Sequence, residues 1–412
     1  MANINLPPDI NLQENLSDNR LQGLWRLMKG FRRFYLGAAM SQGIAATSKT
    51  ATYFLLKFFV DDVLGKGQYN NIILVALGFI VLACLEGFFS FTSGRLAAKT
   101  AEGISRRLRN YLFDHIQRLS FSYHSETQTG ELIQRSTSDV DALRRFFSDQ
   151  AINMGRIIIL FIVNFIALLS LNVKLAFMSI IIVPIIVLIS MLFFSKISKA
   201  YEAYQEQEAN LSTTLQENLS GVRVVKAFAR QDYERNKFEK DNLEKYRRGK
   251  RLLTMHSLFW PVSDILCGIQ MLVGFYTAAM MAINGTFTVG TYLAYAGLVV
   301  WIIFPMRNLG RLIVQMSTGL VSYNRVAEII RQERESLTIG DYQPTNDLKG
   351  DLVFDNVGFE YEAGIPVLKN INFHCKPGQV IALLGSTGSG KTTLVNLLPR
   401  FYEYTSGVIH LD

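Results

Sequence analysis

The sequence predicts an all-α, six-helix polytopic membrane domain followed by the N-terminal part of an α/β phosphate-loop domain. Three observations carry this. Apolar runs of about 20 residues recur six times, the length that crosses ~30 Å of hydrocarbon at 1.5 Å per residue. The connections between the runs alternate, short and then long and basic. Finally, residues 385–393 read GSTGSGKTT, between a short apolar run and a helix-like one.

Composition agrees. Of 412 residues, 49% are apolar and only 18% charged, and the length suits two or three domains. Lys and Arg number 42 against 34 Asp and Glu, a net charge of +8. Such an excess serves either nucleic acid or the cytosolic loops of a membrane protein. Here the cations cluster in the long connections, so no nucleic-acid partner is implied. Cys84, Cys267 and Cys375 are widely spaced, which suggests neither a disulfide framework nor a zinc site.

The elements follow in order. Residues 1–33 form a polar lead, without the charged-then-apolar order of a secretory signal, and an interfacial elbow helix in LQGLWRLMKGFRRF. Residues 34–330 form the membrane domain, with spans at about Phe34–Val60, Asn71–Phe91, Gln150–Leu171, Val173–Phe194, Ser257–Ile283 and Val289–Leu309. The first is the least apolar and contains Lys49 and Lys57. Short turns join spans 1–2, 3–4 and 5–6. The connections Ser93–Asp149 and Ser195–His256 are long and rich in Lys and Arg, which places them and both termini in the cytoplasm of a multi-pass cell-membrane protein. They hold helix formers and almost no Pro. Each therefore reads as two helices running out of the membrane and reversing at a tip, at FSYHSETQTG (121–130) and at Gly221. From Ser195 to Gly221 a helix reaches ~39 Å.

Lys49, Glu86, Arg156 and Asp264 fall inside or near spans. Either they line a polar cavity for a charged amphiphile, or they snorkel and pair between helices. Pro184, Pro261 and Pro305 are positioned to bend spans 4, 5 and 6.

Residues 331–350 read as a polar linker. After it, 351–412 begins the α/β part, with β-like runs at Asp351–Val357, Leu368–Phe373 and Val380–Leu384. The last, VIALL, has the composition of a buried parallel strand. It leads into GxxxxGK[ST] and then a helix, the context a phosphate loop requires. Gly385, Gly388 and Gly390 free the backbone to approach phosphate, with Ser386 and Ser389 in the same loop. Lys391 reaches the outer phosphates, Thr392 offers its hydroxyl to Mg2+, and Thr393 completes the motif.

Four further stretches give the sequence a family likeness: TGELIQRSTSDVD (129–141), LSGVRVVKAFARQDYE (219–234), VGFEYEAGIPVLKNINF (357–373) and RFYEYTSGVIHLD (400–412). From about residue 20 onward the chain resembles a bacterial ABC exporter half-transporter of the lipid and multidrug type. The resemblance implies that 351–412 starts an ABC-type nucleotide-binding domain using ATP and Mg2+, and that Tyr361 stacks on adenine. It implies that the tips at 121–130 and 219–228 are coupling helices, and that the chain pairs with a second half-transporter, by default its own copy. The implied activity is ATP-driven export or flipping of a lipid or hydrophobic compound. The alternative is an ATP-binding channel or regulator that does not pump. Tyr404 stands where the family usually has Pro. The family's glutamine loop, signature, acidic Walker B strand and switch histidine are not among these residues. The chain is accordingly read as truncated after Walker A, with no catalytic residue inside it and no hydrolysis by itself.

Overall fold

The computed structural model describes residues 12–335 and 348–412, so most of the expected linker and the start of the expected lead lie outside the described residues. The chain forms two compact units: Met1–Arg107 with Asp139–Asn324, and Leu108–Ser138 with Arg325–Asp412.

The first unit is helical. The elbow is α1 (Arg20–Leu27), capped by the Asn19 side chain and burying Leu24 and Leu27. A turn leads into α2 (Arg32–Phe58), the first expected span, which runs on as a wider helical turn over Phe59–Leu64. The next helix, α3 (Ile72–Ile116), is continuous over 45 residues, about 67 Å. It holds the second span and the stalk that follows. Within the second unit's segment Leu108–Ser138 lie α4 (Phe121–Glu126) and α5 (Thr129–Gln134), and α6 (Val140–Arg145) follows in the first unit. Spans three and four are α7 (Ala151–Leu171) and α8 (Val173–Ile180) with α9 (Ile182–Ser220). The break at Ile181 precedes Pro184, whose missing N–H leaves the Ile180 carbonyl without its helical donor. The second stalk reverses at Gly221, through α10 (Val222–Ala227), into α11 (Gln231–Ile283). The last span is in α12 (Val289–Arg331). Pro261 and Pro305 sit inside α11 and α12, which continue through them.

Five helical stretches, Tyr69–Ile116, Thr129–Leu171, Val173–Ser220, Gln231–Ile283 and Val289–Arg331, are long and apolar enough to cross a membrane. The remaining expected span, α2, is helical but less apolar, because Lys49, Lys57 and several Ser, Thr and Gln residues dilute it. Its polar groups face neighbours instead. Thr50 donates to Asn164 Oδ1 at 2.7 Å, and Trp301 Nε1 donates to Tyr53 OH at 2.7 Å. Close approach supports the packing, since a Cβ on Gly297 would lie 2.1 Å from the Tyr53 ring. Small residues at such crossings are what lets apolar helices associate where no water drives them together. The core of this unit is Leu168, Leu175, Ile186, Leu298, Val299 and Ile302.

The second unit holds a three-stranded antiparallel sheet. β1 (Leu352–Glu362) pairs with β2 (Ile365–Cys375) on one side and β3 (Ser406–Leu411) on the other. Phe354 faces Phe373 across the first pair, their rings stacked at 4.5 Å. α13 (Lys391–Leu397) covers one face, with Leu394 and Leu397 against Phe354, Val357, Phe359 and Leu368. One expectation fails. Val380–Leu384 is not a strand, and Val380 and Leu384 are each 92% exposed. An apolar run becomes a buried strand only when neighbours supply a hydrogen-bond ladder and a cover, and no described strand lies beside this one.

Candidate nucleotide site and helix-lined cavity

The loop after residue 384 turns back on itself before entering α13. Gly388 and Gly390 take φ of +85° and +83°, the left-handed region that side chains avoid. At Gly385 a Cβ would come within 2.6 Å of Ser389 Oγ, so any side chain there would have to turn the Ser389 hydroxyl away. The Lys391 ammonium points into the loop. It donates to the Gly385 carbonyl at 3.0 Å, the Ser386 carbonyl at 2.8 Å and Ser389 Oγ at 3.2 Å. Thr392 is exposed on the first turn of α13, and Thr393 is buried beneath it. The first amides of a helix lack internal acceptors. A glycine loop, a lysine held by its carbonyls and a free hydroxyl together fit a Mg2+–triphosphate group.

Tyr361 lies on β1, 32 residues before Thr393, and its hydroxyl is 3.0 Å from Thr393 Oγ1. Its ring meets Phe359 and Tyr402 edge-on, at 4.7 and 5.1 Å. It stays 52% exposed and borders a cavity of about 570 Å³ with Ser122, Glu360, Arg400 and Glu403. That volume is in the range of small-ligand sites. The structure thus places Tyr361 against Thr393 at the start of α13, while residues 385–391 do not line this cavity, whose rim also carries Glu126, Glu335 and Glu362.

Tyr402 was not singled out by the sequence. Its ring contacts Phe359 and Tyr361 on the sheet and Phe121 on α4, and its hydroxyl is 3.1 Å from Ser125 Oγ. Phe401 stacks on Phe121 at 4.4 Å. The tip of the first long connection is therefore seated on the sheet unit beside Tyr361. The only sequence signal for it is two aromatics, one at each end of a gap of about 280 residues.

Higher on the same connection, His115 is fully buried. Its Nε2 is 3.0 Å from the Ile329 carbonyl, and its Nδ1 is 3.0 Å from Arg334 Nε. A carbonyl only accepts and Arg Nε–H only donates, so the ring is neutral with its proton on Nε2. Burial, the largest cause, and the Arg334 charge push its pKa down.

In the first unit, the four charges noted in the spans separate. Lys49 pairs with Glu86 at 3.3 Å and lies over Trp301. Asp264 pairs with Arg307, which also lies against Trp260 and Phe304. Arg156 lines a cavity. This space of about 420 Å³ lies between α7 and α12, and its polar rim is Asn153, Arg156, Arg307, Asn308 and Arg311. Three guanidinium groups and no carboxylate line it. Arg307, near the end of the expected last span, and Arg311, just past it, were not singled out by the sequence. Their spacing of one helical turn was the available signal.

Comparison with known proteins agrees with this geometry. Residues 38–306 match the ABC transporter transmembrane region, and 368–412 match the ABC transporter domain. The uncharacterized ABC transporter ATP-binding protein YknU of Bacillus subtilis is 28% identical over 384 residues, covering 93% of this chain and 66% of that protein. The ATP-dependent lipid A-core flippase of Syntrophus aciditrophicus is 27% identical over 369 residues, covering 90% and 61%. YgaD of Bacillus subtilis, a multidrug export ATP-binding/permease protein whose own role is provisional, is 28% identical over 365 residues, covering 87% and 63%. The chain thus spans just under two thirds of the length of these relatives. A helical membrane region matched over most of the chain, followed by a phosphate loop on a small sheet, places this multi-pass membrane protein in the ABC transporter family.

Proposed function

We propose that this chain works in ATP-driven export or flipping of a lipid or other amphiphile that carries an anionic group. The observation that carries the reading is the continuous contact from Thr393 through Tyr361 and Tyr402 to Phe121 and Ser125. The residues that would hold a nucleotide are in touch with the tip of a membrane stalk.

In this reading Gly385, Ser386, Gly388, Ser389 and Gly390 wrap the phosphates with backbone amides. Lys391 exchanges its loop carbonyls for phosphate oxygens, and Thr392 holds Mg2+. Bound ATP supplies triphosphate charge and a differential affinity for the closed arrangement. Tyr361 stacks on the base, and Tyr402 passes its position to the tip. A second copy supplies the remaining contacts, as the default for one set of spans. The long connections and both termini face the cytoplasm, the side where Lys and Arg accumulate. The Arg156, Arg307 and Arg311 cavity sets the substrate class, because guanidinium groups recognise phosphate or carboxylate bidentately. The lipid A-core flippase and the multidrug-type relative bracket the choice.

The test uses the full-length protein reconstituted in vesicles. Movement of an anionic lipid, and ATP hydrolysis stimulated by it, should fall to background in Lys391→Ala. Undiminished turnover in that variant overturns the pump. ATP binding without any transport, in wild type, turns the reading to a channel or regulator.

A further inference from the structure

Below the membrane runs of α9 and α11, the stalk charges are sorted in an uneven way. Four cations of this hairpin have carboxylate partners: Lys237 with Glu217, Lys245 with Glu208, Arg247 with Glu244, and Arg248 with Glu206 and Glu244. Lys196, Lys199, Arg223, Lys226, Arg230, Arg235, Lys240, Lys250 and Arg251 have none among the described residues, and of these Lys196, Lys199 and Arg251 share a cavity. These three line one cavity of about 910 Å³ with Arg248, Glu206 and Glu244. Both carboxylates are already engaged by Arg248, so the cavity keeps its positive charge.

Its depth is informative. Lys196 and Lys199 lie two and five residues past Phe194, and Arg251 six residues before Ser257. At 1.5 Å per residue they stand roughly 3–9 Å outside the hydrocarbon, the layer that headgroups occupy. Ala200 and Ala203 also line it with small side chains, and so does Met255, which packs on the apolar cluster of Phe194, Ile197 and Phe259. A cavity that is cationic at headgroup depth and adjoins an apolar cluster matches the two ends of a phospholipid.

We propose that this cavity binds the headgroup of one anionic phospholipid from the adjoining leaflet, with its phosphate held by Lys196, Lys199 and Arg251. Nothing in this requires the nucleotide site or the arginine-lined cavity, so the inference stands or falls apart from the transport reading. The lipid pins the α9–α11 pair at the membrane surface, where unpaired cations would otherwise face only water.

The full chain, purified in detergent micelles, is titrated with phosphatidylglycerol or phosphatidylcholine, and bound lipid is counted by native mass spectrometry. One phosphatidylglycerol per chain should be retained in preference to phosphatidylcholine. Lys196→Gln, Lys199→Gln and Arg251→Gln together should weaken it on the order of 100-fold, from about a factor of five per cation near a membrane surface. Ala200→Phe, which fills the cavity and changes no charge, should weaken it too. Lys196→Arg with Lys199→Arg should retain it and shows that the fold survives change at these positions. Arg223→Gln, Lys226→Gln and Arg230→Gln, an equal charge loss at the far tip, should leave it unchanged. Equal loss in that control, equal binding of phosphatidylcholine, or displacement by inorganic phosphate at matching concentration would each overturn the proposal, the last by showing an adventitious ion only.

Discussion

Tyr361 carries two separable duties. Its hydroxyl fastens to Thr393, and its ring remains exposed beside a cavity. Tyr361→Phe removes only the hydrogen bond, so ATP affinity should fall by no more than the ~0.5–1.5 kcal/mol of such a bond. Tyr361→Ala also removes the stacking face and should cost about 1–3 kcal/mol. Titration with a fluorescent ATP analogue separates the two, and equal losses would mean that the ring does not touch the base. Arg307 and Asp264 give a second residue-scale expectation. Neutralising Asp264 leaves the largely buried Arg307 guanidinium against Trp260 and Phe304 without its carboxylate. The double variant Arg307→Leu with Asp264→Asn should therefore be more stable in detergent than the sum of the singles implies. Additive melting shifts would mean that the pair is not coupled.

At the scale of elements, the end of α3 is clamped to the end of α12 by a neutral histidine. His115 has a folded pKa below its ordinary value, so the folded state binds fewer protons than the unfolded one near neutrality. The stabilisation is complete above pH ~6.5 and is lost as pH falls below it toward the lowered value. A proton on Nδ1 would face the donor of Arg334, and the flanking Asp114 already pairs with Arg118 and Arg334. Thermal melts should thus lose stability from pH 7.5 to 5.5, and His115→Gln should flatten that slope. A slope unchanged in the variant would assign it elsewhere. The α4 tip yields another expectation. Tyr402→Ala, which removes the ring edge against Tyr361 and part of the cavity wall, should abolish nucleotide-induced protection of 121–126 in hydrogen exchange even at saturating ATP. Protection that survives would mean that the tip senses nucleotide by another route.

At the scale of the whole molecule, the second tip contrasts with the first. Val224 and Phe228 are 60% and 73% exposed on and after α10. Apolar residues presented at a tip suit a partner surface, and under the proposed pairing the surface on offer is the second chain's 351–412 segment. A photo-crosslinker at position 224 should join two chains through the partner's 351–412 segment in the reconstituted protein. Crosslinks only within one chain would refute the paired arrangement.

Much of this was legible in the residues. Five of the six apolar runs, stalks reversing near 121–130 and at Gly221, and a glycine-rich loop opening α13 all follow from local rules. Span length, Lys and Arg placement, and glycine spacing are properties of contiguous sequence, and the bilayer and the phosphate impose them without reference to the rest of the fold. What the sequence left open depended on distant partners. VIALL carries the composition of a strand, but a strand exists only through its neighbours, and β1 found β2 and β3 instead. The four membrane charges could not be sorted into pairs and a cavity until the helices were placed, which matched Asp264 to Arg307 and left Arg156 beside Arg311. Tyr402 became a link between tip and nucleotide residues only when a gap of about 280 residues closed. Pairing of charges and of aromatics falls off over a few ångströms, a distance that sequence separation does not encode.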